Sequence, residues 1–130
     1  MLKIKLLIAV TFFAFSVASA DECGSAKSQI EINACAHSQF SRVDAELNKV
    51  YVSYRMNLND SQKKQLKDAQ LAWVKYRDLV CTFESSGVEG GSAQPMVFQQ
   101  CLTRKTQLRL SELMRLTECK EGDLSCPVWK

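Results

Sequence analysis

The sequence predicts a small all-α fold, an antiparallel bundle of three main helices braced by disulfides, on three observations. Apolar residues recur at three-and-four spacing along three long segments. The densest run of glycine and proline, SSGVEGGSAQP at 85–95, holds three of the five glycines and one of the two prolines, and so separates the second segment from the third. All six cysteines follow an export-type leader, which suits disulfide bonding. No segment alternates convincingly as a strand, and no internal repeat is present.

The leader comes first. Lys3 and Lys5 form a basic start, Leu6 to Val17 an apolar run, and Ala18-Ser19-Ala20 a small-residue cleavage site. The apolar run is short for the roughly 20 residues of a spanning helix. Residues 1–20 therefore read as a signal peptide and 21–130 as one mature domain, with 119–130 as a disulfide-capped tail. Cys23 follows Ala20-Asp21-Glu22, a poor lipoprotein signal, so the expectation is a periplasmic or secreted protein without a stable membrane anchor. Cleavage leaves 110 of the 130 residues, and loss of Lys3 and Lys5 leaves 15 basic against 14 acidic residues, a net charge of +1. That balance, without a basic block, argues against nucleic acid as a partner.

In the mature chain, Phe40, Val43, Leu47, Val50, Tyr51, Tyr54 and Leu58 predict a first helix from about Ser28 to Asn57. Asn59-Asp60-Ser61 supplies a turn and an N-cap, since a short side-chain oxygen can accept an unsatisfied amide hydrogen of the following helix. The second helix runs from about Ser61 to Glu84, with Leu66, Ala69, Trp73, Tyr76 and Val80 on one stripe. After the exposed 85–95 loop, Pro95 suits the first turn of a third helix, where its missing N–H does no harm. Phe98, Leu102, Thr106, Arg109, Leu113 and Leu116 carry that helix to near Glu118.

The six cysteines allow fifteen connectivities. Short loops and helix geometry favour Cys23 with Cys35, Cys81 with Cys101, and Cys119 with Cys126, the second bridge closing the glycine loop at its base. Zinc competes poorly, because there is no Cys-x-x-Cys pair and His37 is the one histidine. No metal and no cofactor is expected.

Polar groups interrupt the apolar faces. Gln70 and Arg77 lie roughly 40° to 60° from Trp73 on the same arc, and Arg109 lies about 20° from Leu102. A buried guanidinium needs a partner, and Asp44, about 60° from Leu47, is the expected partner of Arg109; Asp78 fits it less well. Arg77, one turn beyond Trp73, can lie over the indole or bond a neighbouring helix. Ligand recognition is one reading of these arginines, and an internal brace setting helix register is the favoured one. Phe40, Tyr51, Tyr54, Trp73, Tyr76 and Phe98 read as core rather than as a pocket lining. His37, without a local carboxylate, reads as a surface or helix-start residue. Ser85, Ser86 and Ser92 lack a base, and Glu84 with Glu89 does not make a glycosidase pair, so no enzyme is predicted.

One pattern spans nearly the whole mature chain: Asp44, Leu47-Asn48 and Tyr51; Ala69-Gln70, Trp73, Tyr76-Arg77-Asp78 and Cys81; Gly90-Gly91-Ser92; Cys101-Leu102, Thr106, Arg109 and Leu113. In this order it resembles the exported bacterial LprI-like lysozyme inhibitor family. The resemblance implies an all-helical periplasmic or cell-surface protein and, for some members, inhibition of lysozyme. The Cys119–Cys126 tail departs from the family's core pattern. If the implied activity holds, the simplest mechanism is insertion of the 85–95 loop into the muramidase cleft. There Ser86, Gly87, Gly90, Gly91 and Ser92 permit close backbone approach, while Glu84 and Glu89 attract a cationic lysozyme. The competing expectation is a periplasmic binding or immunity module that recognises another envelope protein.

Overall fold

The computed structural model describes residues 23–128; the expected signal peptide and Trp129 lie outside them. Three helices run up, down and up: α1 (Gln29–Arg55), α2 (Asp60–Glu84) and α3 (Gln94–Thr117). The described residues contain no strand.

Each boundary has a local cause. The Ser28 hydroxyl accepts the Glu31 N–H at 3.3 Å and starts α1. Asn59 and Gln62 form a reciprocal capping box, each side chain accepting the other's backbone N–H, at 2.9 and 3.1 Å. Pro95 occupies the first turn of α3. The helices thus fall within a residue or two of the ranges that spacing and capping predict.

Side-chain pairs set the directions. Gln29 and Asn33 of α1 reach Met96 and the Ser92 carbonyl at the start of α3, so α1 and α3 run parallel. The Cys81–Cys101 bridge and the Gln70–Arg109 hydrogen bond run α2 antiparallel to α3. Val43 and Leu47 of α1 pack on Leu110 and Leu113 of α3, with Phe40, Tyr51, Leu66 and Trp73 around them. A second cluster joins Cys81, Cys101 and Leu102 to Phe40 and Phe98.

Three disulfides are formed: Cys23–Cys35, Cys81–Cys101 and Cys119–Cys126, the pairs that short loops favour. The last closes a tail whose Pro127 carbonyl accepts from the Gln62 side chain at 3.0 Å, at the start of α2. No helix among the described residues is long and apolar enough to cross a membrane.

One expectation about α2 is overturned. Tyr76 is 57% exposed and Ala69 is also at the surface, whereas Gln70, Arg77 and Cys81 are the buried residues of this helix. The inward face is rotated by roughly 80° from the aromatic stripe, because Cys81 must point at Cys101 and carries Arg77 and Gln70 inward with it.

Tyr54 is buried and its hydroxyl has no hydrogen-bond partner among the described residues. Burial raises its pKa above the ordinary tyrosine value. Its ring borders a groove of about 380 Å³ with Val50, Met114, Leu116 and the tail's Val128. Because an unpaired buried hydroxyl opposes folding, Tyr54→Phe is expected to leave the melting temperature unchanged or raise it. A clear drop would show that the hydroxyl holds a partner.

Candidate functional site

The polar residues of the helical faces converge at one junction. Arg77 of α2, only 7% exposed, donates from Nη1 to Asp44 Oδ1 of α1 at 3.1 Å and from Nε to Asp78 Oδ1 at 2.9 Å. Nη1 also lies 3.4 Å from Thr106 Oγ1 of α3, and Thr106 is fully buried. Cζ stands 5.2 Å from the ring centroids of both Phe40 and Trp73, within cation–π range. Asn48 donates to the other Asp44 oxygen at 3.2 Å and steadies that carboxylate. One guanidinium therefore contacts all three helices.

Arg109 forms the second half of the junction. Its Nε donates to Gln70 Oε1 at 3.0 Å and its Nη1 to Glu112 at 2.9 Å, and its Cζ lies 5.9 Å from the Trp73 ring. The expected Asp44–Arg109 pair is thus not formed: Asp44 pairs with Arg77, and Arg109 takes Gln70 and Glu112. Asp78, the poorer candidate for Arg109, serves its own neighbour Arg77. The rotation of α2 explains the exchange, since it brings Arg77 rather than Tyr76 between α1 and α3.

These contacts engage Nε and Nη1 of both arginines with protein partners, as an internal brace requires. Asp44, Asn48, Gln70, Trp73, Arg77, Asp78, Thr106 and Arg109 form one connected network, with Tyr51 packed beside it in the main core. It contains no nucleophile with a base. Among the described residues, no group of three or more His, Cys, Asp or Glu is placed to hold a metal ion.

The 85–95 connection is anchored at both ends. Cys81–Cys101 closes its base with a Cα–Cα distance of 5.5 Å, and Asn33 Nδ2 of α1 donates to the Ser92 carbonyl at 2.9 Å. Ser85, expected in an exposed loop, is 2% exposed; a single 3₁₀ turn at Ser86–Val88 follows it. Gly90 has φ +73°, a left-handed conformation that side chains other than glycine rarely adopt, and its N–H is held by Gln94 Oε1 at 2.9 Å. Ser86, Gly87, Glu89, Gly90, Gly91 and Ser92 are all exposed on this ordered turn.

Glu84 does not join them as a free acid. It closes ion pairs with Lys105 at 2.9 Å and Arg104 at 3.1 Å on α3, so its expected attraction for a cationic partner is largely compensated. Glu89 is the exposed acid left on the turn. Spacing could have found the Glu84 pairs, because the Cys81–Cys101 bridge holds the two helices together within about one turn of Glu84, Arg104 and Lys105, near enough for the long basic side chains to reach the carboxylate across it.

Residues 19–113 match the family described as lysozyme inhibitor LprI. The chain belongs to that family. The matched span covers the whole arginine network, both anchors of the glycine turn and the first two disulfides, and stops before the Cys119–Cys126 tail. An uncharacterized protein of Rhizobium meliloti (strain 1021) is similar, 34% identical over 132 residues, covering 92% of this chain and 95% of that protein. No solved structure matches.

The pairing of Asp44 is testable by a double-mutant cycle. Asp44→Ala and Arg77→Ala should each destabilise, Arg77→Ala by about 3 kcal/mol because it removes a buried side chain that pairs with Asp44 and Asp78, reaches Thr106 and packs on Phe40 and Trp73. Their coupling is expected to exceed about 1 kcal/mol, and that of Asp44 with Arg109 to be near zero. Chemical denaturation of the four-protein sets gives both values.

The Lys105 hydrogen bond, followed by the charges of Lys105 and Arg104, holds the Glu84 carboxyl below its ordinary range. A depressed carboxyl contributes stability above its unfolded value and loses it as pH falls through the folded one. Wild type should therefore exceed Glu84→Gln in melting temperature at neutral pH, with the gap closing below about pH 4.

Proposed function

We propose that this chain is an exported, non-enzymatic inhibitor of lysozyme that blocks the muramidase cleft with its 85–95 loop. Family membership over residues 19–113 carries the reading. Three disulfides suit an oxidising compartment outside the cytoplasm, in keeping with cleavage after Ala20.

The geometry supports the loop as the blocking element. A segment fixed at both ends by a disulfide and by the Asn33–Ser92 hydrogen bond loses little freedom on binding, which favours affinity. Gly87, Gly90 and Gly91 expose backbone for close approach, Ser86 and Ser92 offer hydroxyls, and Glu89 places one negative charge toward a cationic enzyme. Once the loop fills the cleft, peptidoglycan no longer reaches the two catalytic carboxylates of the enzyme. The near-neutral mature chain gives only modest electrostatic steering, so affinity rests on shape and contact rather than on long-range charge.

The purified mature protein should reduce lysozyme turnover in proportion to dose, and Glu89→Gln combined with Ser92→Ala should weaken inhibition about tenfold, equivalent to about 1.4 kcal/mol. Full activity of chicken-, goose- and invertebrate-type lysozymes at excess protein would reject this reading. Affinity capture from envelope extracts would then test recognition of another envelope protein.

A further inference from the structure

The helix that carries the arginine network has a second apolar arc, and that arc faces outward. Ala69, Ala72, Tyr76, Leu79 and Phe83 fall within about 80° of the α2 surface, centred roughly 140° from the inward direction set by Gln70, Arg77 and Cys81. All five are exposed: Tyr76 by 57%, Leu79 by 61% and Phe83 by 79%. No described residue covers them. The stripe runs about 21 Å along the helix and leads directly into the glycine turn, since the Ser86 hydroxyl donates to the Phe83 carbonyl at 2.7 Å.

Tyr76, Leu79 and Phe83 together offer roughly 400 Å² of side-chain surface. A contiguous apolar patch of that size on a small domain is commonly functional. A stable specific interface buries about 800 Å² on each partner, so two copies joined through the stripe alone fall well short. One partner covering both the stripe and the adjoining turn reaches that size. Aromatic side chains beside a polar, hydroxyl-bearing turn also match the usual division of an interface into anchors and rim.

We infer that the outer face of α2, through Tyr76, Leu79 and Phe83, is the apolar half of the lysozyme-binding surface, packing on the enzyme beside the cleft that the 85–95 loop enters. This rests on the inhibitor reading above. The loop blocks, and the stripe supplies much of the binding energy. Phe83, at the junction of the two, is the central anchor.

The test is inhibition of whichever lysozyme of the panel responds to the wild-type mature protein, repeated with Leu79→Ser/Phe83→Ser and, as an independent variant, Tyr76→Ser. All three positions are exposed, so melting temperatures should stay close to wild type; Leu108→Ser, at an exposed leucine of α3, is the control. At least tenfold weaker inhibition by the double variant, a smaller loss for Tyr76→Ser and none for Leu108→Ser is the expected result. Undiminished inhibition by folded stripe variants overturns the inference while leaving the inhibitor reading intact. A wild-type protein that inhibits no lysozyme overturns both. Sedimentation showing a wild-type dimer that the double variant loses, with inhibition unchanged, overturns the inference in favour of self-association.

Discussion

A guanidinium at the junction of three helices has to be paired where it sits, and Arg77 fixes the bundle around that requirement. Asp44 comes from α1, Asp78 from α2 and Thr106 from α3, while Phe40 and Trp73 cover the guanidinium plane. Misplacing any helix strands a charge in a site that is 7% exposed, at a cost far above that of a misplaced leucine. Trp73 extends the constraint, because Arg109 approaches the same indole and ties in Gln70. The apolar clusters supply the driving force for collapse; the arginines select one register.

This division explains why the pattern that identifies the family is so polar. Asp44, Gln70, Trp73, Arg77, Thr106 and Arg109 contact one another between the helices, so this part of the signature specifies a scaffold. What the scaffold presents lies at one end and along one side. Cys81 leaves the network, bridges to Cys101 and sets the base of the turn, while Asn33 holds its far end. In the proposed mode of binding, the turn and the outer arc of α2 meet the partner without disturbing the junction that keeps the helices aligned.

Much of this was legible in the residues, and the misreadings share one cause. Uninterrupted three-and-four spacing, Asn59 and Pro95 marked the helices, because capping and proline chemistry are local. Short separations marked the disulfides for the same reason. The rotation of α2 is not local: Tyr76 and Trp73 suggested an aromatic inward face, yet Tyr76 points outward. Cys81 held the missing information. A cysteine bound to reach the next helix fixes the inward direction, and Arg77 and Gln70 lie within about 40° of it, while Tyr76 lies about 140° away. Used as the phase marker, it would have paired Asp44 with Arg77 and left Arg109 to Gln70. The compensation of Glu84 by Lys105 and Arg104 follows from the same bridge.

The central claim is that the buried polar part of the family signature builds the scaffold and that contact is made by the glycine turn and the outer face of α2. Its most direct test is a titration of the isotopically labelled mature protein with an inhibited lysozyme, followed through backbone amide and arginine Nε–H resonances. The account predicts perturbations concentrated in the 86–92 turn and the outer face of α2, with the Arg77 and Arg109 Nε–H signals unmoved because Asp78 and Gln70 retain them. Perturbations centred on Arg77, Arg109 and the Trp73 indole, with the turn unchanged, would contradict it.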